Sequence, residues 1–233
     1  MMKNFFIAIL FSSLFYGCDV LKSLPSAVGI TEAEAGQGIK EALSNGVVNA
    51  VLQLNKPDGF FKDALYKVLL PPDAKKIENT LRDLGLNSLV DKAILQINRG
   101  AEDAAGFAKP IFVEAIKNMT LQDAIGLVKN GDTSATHFFR EKTTQKLMLA
   151  FKPVIQSSLD KVNATKYYGD LVNKYNSLPL VFNKVNPDLS GYVTERATSA
   201  LFDLIAVEEK NIRNNFAART SDILRKVFGQ YRL

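Results

Sequence analysis

Apolar residues return along most of this chain with the period of an α-helix. Ile39, Leu43, Val47, Ala50 and Leu54 fall on one face, and Thr31 with Glu34 forms a capping box ahead of them. Asn55-Lys56-Pro57-Asp58-Gly59 then stops that helix with turn-forming residues. Residues 60–70 fit either a short helix or an extended piece. Pro72 suits a first helical position, Ile77, Leu81 and Leu84 share a face, and Gly85 closes the turn. Asn87 is placed to cap a helix whose stripe is Leu89, Val90, Ile94, Ile97, Ala101, Ala104 and Ala108; its small residues predict a close helix–helix approach. Pro110 kinks that helix or restarts it, and Ile111, Phe112, Ala115, Ile116 and Met119 carry the apolar face onward.

Thr120 and Asp123 read as a cap pair before a short helix ending at Gly131. Asp132 or Thr133 opens a long helix with Phe138, Phe139, Leu147, Phe151, Val154, Ile155, Leu159 and Val162, bent at Pro153. Another helix spans about 165–175. Residues 178–186 read as extended, since Pro179 and Pro187 disfavour helix in the residues before them. Asp188 caps a long helix to about Asn214, and Thr220 a last one carrying Ile223, Leu224, Val227 and Phe228, stopped at Gly229. No stretch alternates with a period of two. The expectation is an all-α fold, a single multi-helix bundle-like domain over residues 31–233. One very short β pairing, residues 66–70 with 179–183, is the only place left for strands.

Residues 1–17 follow a different pattern. Lys3 precedes an apolar run from Phe5 to Tyr16, and Gly17 stands before Cys18, the single cysteine of the chain. The run is too short to span a bilayer, which takes about 20 apolar residues, and has the layout of a cleaved export signal. A signal ending at a lone cysteine resembles that of bacterial lipoproteins, in which the sulfur is acylated and the cysteine becomes the mature N-terminus. Phe15 and Tyr16 stand where such signals usually carry Leu and a small residue, with Leu14 one step early. The alternative is an ordinary secretory signal with an incidental thiol, but an unpaired cysteine in an exported chain asks for a role. One acyl chain holds only marginally at about 0.8 kcal/mol per buried methylene, whereas two or three anchor stably. Residues 18–30 then form a lipidated Cys18 and a tether, whose twelve or so residues reach at most about 40 Å. The resulting expectation is a cell-envelope protein with its body in the periplasm, the leaflet left open.

Composition changes this picture little. The chain has 233 residues, 47% apolar and 23% charged, with a net charge of +5. Its basic residues are scattered, whereas nucleic-acid binding asks for lysine and arginine clustered on one face, so no nucleic-acid partner is expected. Without a second cysteine no internal disulfide can form, and the fold rests on packing.

The candidate chemistry is sparse. One histidine and one cysteine do not make a structural zinc set, and no metal or cofactor is expected. His137 and Glu141 stand one helical turn apart and read as a surface pair more readily than as a catalytic base. Gly36-Gln37-Gly38 lacks the third glycine and the preceding strand of a phosphate-cradling motif. Glu208 falls on the face of Leu201, Leu204, Ile205 and Ile212, where a carboxylate needs a cation. Arg99, Arg213 and Arg219 are candidate partners, and Glu209 with Arg213 already has helical spacing. Asn98 and Arg99 form a second cluster, with Arg99 spaced to pair with Asp103. Both clusters read first as structural pins, second as ligand sites. The turn carrying Lys56, Asp58 and Phe60 is a candidate binding loop, and otherwise simply a helix stop.

Several of these segments recur together in one family. They are Gln53-Leu54-Asn55-Lys56-Pro57-Asp58-Gly59-Phe60, Ala108-Lys109-Pro110-Ile111-Phe112 with Met119-Thr120, Tyr175-Asn176, and Tyr192-Val193-Thr194. Glu208-Glu209 with Ile212-Arg213 follows, then Ala217-Ala218-Arg219-Thr220 and Val227-Phe228-Gly229. In this order they resemble the bacterial family catalogued as domain of unknown function 4197, from about Ile39 to Gly229. The resemblance implies an exported protein, often a lipoprotein, and no activity, substrate or catalytic residue. The expected function is a membrane-tethered, non-catalytic binding or interaction module serving an envelope protein. A carrier of a lipid or other apolar ligand, opened by Pro110 and Pro153, is the alternative. An enzyme working through Glu208 and its arginines comes third.

Overall fold

A computed structural model describes residues 29–120, 124–179, 185 and 189–229. The export signal, Cys18, the Thr120–Asp123 cap pair, Asp188 and most of residues 179–183 therefore involve positions outside the described residues. Among the described residues the chain forms nine α-helices and no strand. They are α1 (Glu32–Leu54), α2 (Lys75–Asp83), α3 (Asn87–Ala105), α4 (Ala108–Lys117), α5 (Ala124–Lys129), α6 (Ser134–Lys161), α7 (Ala164–Asn176), α8 (Ser190–Asn214) and α9 (Asp222–Gly229). The all-α expectation holds.

Local chemistry explains several boundaries. Thr31 accepts from the Glu34 N–H while the Glu34 carboxylate accepts from the Thr31 N–H, closing the capping box of α1. Pro72 opens a single 3₁₀ turn (Pro72–Ala74) that runs into α2, and Gly85 ends α2 at φ +79°, a conformation that favours glycine. Pro110 restarts rather than kinks: α3 ends at Ala105, and Pro110 lies in the first turn of α4, where its missing N–H costs nothing. Pro153 sits inside an uninterrupted α6.

Other expectations need correction. Leu86, not Asn87, is the N-cap of α3, and Asn87 accepts weakly from Arg82 instead. Thr133 precedes α6 in the left-handed region and offers no side-chain cap. Ser221, not Thr220, accepts from the Leu224 N–H and starts α9. Leu84 lies past the end of α2 and is exposed.

The core forms around α1 and α8, which pack along one another and collect the remaining helices: α4, α5 and α9 against α1, and α6 against α8. α3 and α7 complete the far side against α6 and each other. Ile39, Leu43, Val47, Ala50 and Leu54 are all buried as the periodicity requires. Phe112, Phe139 and Phe202 bring α4, α6 and α8 together, with ring centroids 5.5–6.3 Å apart. Where α1 crosses α8, the backbones meet at Gly46: a Cβ there would come 3.0 Å from the Ile205 Cα. Lys226 of α9 closes the domain by pairing with Glu34 at the start of α1.

Two outcomes test this packing. Gly46→Val is expected to lower the free energy of unfolding in urea by about 1–3 kcal/mol through overpacking; an unchanged midpoint would show the crossing to be loose. The Glu34 carboxyl is held down to about 2 by the hydrogen bond from Lys226 and then that from the Thr31 N–H. Since its folded pKa lies below the ordinary 4.5, its contribution to stability is present above pH 4.5 and lost as pH falls through about 2. Carboxyl NMR titration should find that low value, and a return toward 4.5 in Lys226→Ala.

Candidate functional site

The end of α8 carries the first polar cluster. Glu209, fully buried, reaches the N-terminus of α6: its carboxylate accepts from the Ala135 N–H at 3.0 Å, the Thr136 N–H at 2.7 Å and the Thr136 hydroxyl at 2.6 Å. The remaining first-turn amides are also met, Ser134 by the Gly131 carbonyl and His137 by that of Thr133. A side chain from a distant helix thus replaces the local cap that Thr133 does not supply. Arg213 stands one turn further along α8 and donates to Glu209 at 2.8 Å. Its other nitrogens donate to the carbonyls of Leu127 at 2.8 Å and Val128 at 3.0 Å, capping the C-terminus of α5, and to the Ser134 hydroxyl at 3.0 Å. Arg219, also buried, turns back to donate to the Ile212 and Arg213 carbonyls at 2.9 and 2.8 Å, ending α8 itself. The structure thus brings Glu209 and Arg213 together, with Arg219 bonded to the Arg213 carbonyl rather than to a glutamate in the contacts described. Glu208 is not among them: it is half-buried, and Glu209 takes the inward position. The reason is tertiary: both glutamates border the apolar stripe of α8, and it is Glu209 that meets the amides at the start of α6.

The second cluster lies on α3. Asn98 is buried and clasps one residue of the irregular segment: its carbonyl oxygen accepts from the Val68 N–H and its amide donates to the Val68 C=O, both at 2.8 Å. That clasp satisfies the backbone of Val68, within the segment that the sequence left open to one short β pairing. Asn176 holds Val185 in the same two-bond fashion at 3.2 Å. Arg99 does not pair with Asp103, which instead meets Lys161. It bridges Glu102 at 2.6 Å and Asp58 at 2.8 Å. Glu102, a buried residue that the sequence reading passed over, accepts from the N–H groups of Phe60 and Phe61, both at 3.1 Å. Its spacing of four from Asn98 was the available signal. Asp58 sits at φ +70°, and Lys62, then Arg99, hold its carboxyl below the ordinary range. The candidate binding loop thus divides. Lys56 is exposed, Asp58 is engaged, and Phe60 is fully buried and belongs to the core.

Both clusters hold backbone, and none of their charged side chains lines the groove between α4 and α6. A groove of about 600 Å³ opens between α4 and α6. Ile111, Ala115 and Met119 form one wall, and Phe138, Leu147 and Ala150 the other; Glu114, Lys142 and Lys146 stand at the rim. Sequence periodicity assigned most of these apolar residues to helix faces, but could not show that the two faces stand apart. His137 and Glu141 lie beside a shallower recess, 3.7 Å apart and both exposed, as a surface pair. Among the described residues no three His, Cys, Asp or Glu side chains gather to hold a metal ion, and no helix is long and apolar enough to cross a membrane.

Removing the buried charge separates the two glutamates. Glu209→Gln should cost about 3–5 kcal/mol in chemical denaturation, because it leaves Arg213 without its buried counter-charge. Glu208→Gln should stay within about 0.5 kcal/mol; equal losses would return the inward position to Glu208.

No curated protein and no solved structure matches the chain. One family does, over residues 29–229, described as Protein of unknown function (DUF4197). That span takes in all nine described helices with both clusters and the groove, and the chain belongs to this family.

Proposed function

We propose that this chain is a non-catalytic binding module of the cell envelope, held to a membrane by lipid on Cys18, with its helical body in the periplasm. The groove between α4 and α6 carries the reading. Its walls are apolar, its mouth is open, and its volume of about 600 Å³ falls in the range of small-molecule sites. It favours an apolar ligand over a protein partner. A docked helix would need anchors repeating along an extended stripe, whereas the volume here is that of a small-molecule site.

The buried charges support a role without catalysis. Glu209, Arg213, Arg219 and Glu102 are committed to helix ends and turn amides. A catalytic acid or base must instead reach a bound substrate. The anchor is argued from the apolar run Phe5–Tyr16 and the lone Cys18.

The full chain expressed in a bacterial host tests both halves. Native mass spectrometry of the purified protein should find an apolar molecule bound, and Ala150→Trp, which fills the groove from an exposed position, should remove it. Cys18→Ser should abolish incorporation of an alkynyl fatty acid and release the protein from washed membranes. Wild-type protein free of bound ligand would overturn the groove, and a Cys18→Ser variant that stays membrane-bound would overturn the anchor.

A further inference from the structure

We infer that the groove between α4 and α6 takes the acyl chain of a fatty acid, with Lys142 and Lys146 at its mouth receiving the carboxylate; the inference rests on the apolar-ligand reading above. Charge at the rim is divided, positive on α6 and negative on α4. Lys142 and Lys146 are exposed and one turn apart on α6. The Lys142 ammonium lies 5.6 Å from the centre of the Phe138 ring, a wall of the groove, which places it over the apolar space. Among the described residues neither lysine has an acidic partner, whereas Arg140 and Lys161 on the same helix pair with Asp203 and Asp103. The acidic rim residue, Glu114, belongs to α4 and accepts from the Asn118 amide at 3.1 Å. An anion is thus drawn to the α6 side, and a doubly charged head would meet Glu114 across the mouth. A single carboxylate satisfies both conditions.

The place of the groove also fits an acyl ligand. Its end near Asn118 and Met119 is close to the residue where Lys40 of α1 donates to the Lys117 carbonyl. Lys40 lies about 14 Å of helix from Thr31, where the proposed tether joins the body. About 14 Å of α1 and that one contact separate an end of the groove from Thr31, a span shorter than the reach of about 40 Å of the proposed tether.

The test uses isolated membranes containing the full chain, where metabolic acylation of Cys18 does not intrude. A photoreactive, clickable fatty acid is added and irradiated, and the labelled peptides are mapped. Its methyl ester and a lysophosphatidic acid of the same chain serve as comparison probes. The fatty acid should label α4 and α6, and unlabelled palmitate should compete. Lys142→Gln with Lys146→Gln should cut labelling by the acid about threefold to tenfold, the scale of partly exposed charge contacts, and leave the ester unaffected. Ala150→Trp should remove labelling by every probe, with an unchanged melting temperature showing that it folds. Equal labelling by acid and ester, indifferent to the lysines, would overturn the head-group assignment while the apolar-ligand reading stands. Preferential labelling by the lysophosphatidic acid would overturn the choice of a fatty acid. Labelling by none of the probes would overturn this inference together with that reading.

Discussion

Burying the end of a helix leaves N–H or C=O groups that water can no longer reach, and this fold packs many short helices without a disulfide to hold them. The structure depends on how α8 meets that constraint. Its last two turns and the residues just after them supply Glu209 to the start of α6, Arg213 to the end of α5 and Arg219 to the end of α8 itself. One carboxylate and two guanidiniums thereby set the corner between α5 and α6 and the direction in which the chain leaves toward α9. A lone buried carboxylate would be unfavourable here. It is tolerated because amides, a hydroxyl and a guanidinium surround it, and the two amides would themselves lack a partner without it.

α3 solves the same problem for irregular chain. Between α1 and the 3₁₀ turn before α2 the backbone has neither α-helix nor strand, and Glu102 and Asn98 bond its amides while Arg99 ties Asp58 to Glu102. The clasps of Asn98 on Val68 and Asn176 on Val185 are a one-residue substitute for a ladder: one side-chain amide presents the donor and acceptor that a neighbouring strand would. An all-α protein can in this way carry extended pieces without building a sheet edge that would recruit other chains.

These polar networks lie apart from the groove between α4 and α6. The charges that hold the fold are buried against backbone, while the charges at the groove's rim are exposed and, on the α6 side, lack acidic partners among the described residues. Stability and binding therefore draw on different residues, so the rim can be altered without disturbing the clamp that places its walls. Phe112, Phe139 and Phe202 join α4, α6 and α8 in the core and keep those walls in register.

Local spacing determined much of this protein by itself. The capping box of Thr31 and Glu34, the turn at Asn55–Gly59, the glycine at the end of α2 and the helical stripes of α1, α3, α6 and α8 follow from residues within one or two turns of each other. So does the all-α class. Family membership was legible too, because its segments stand in order along the chain. Tertiary structure decided what involves residues far apart. A cap for α6 supplied from α8, with Glu209 rather than Glu208 turned inward, has no local signature, since a stripe of Leu201, Ile205 and Ile212 tolerates either neighbour until a helix end is placed against it. Phe60 reads as loop until Glu102 draws its amide onto α3. The groove exists only because two helix faces, each apolar in its own right, stand too far apart along part of their length to close. Periodicity says which residues face inward, and the three-dimensional packing says whether anything meets them there.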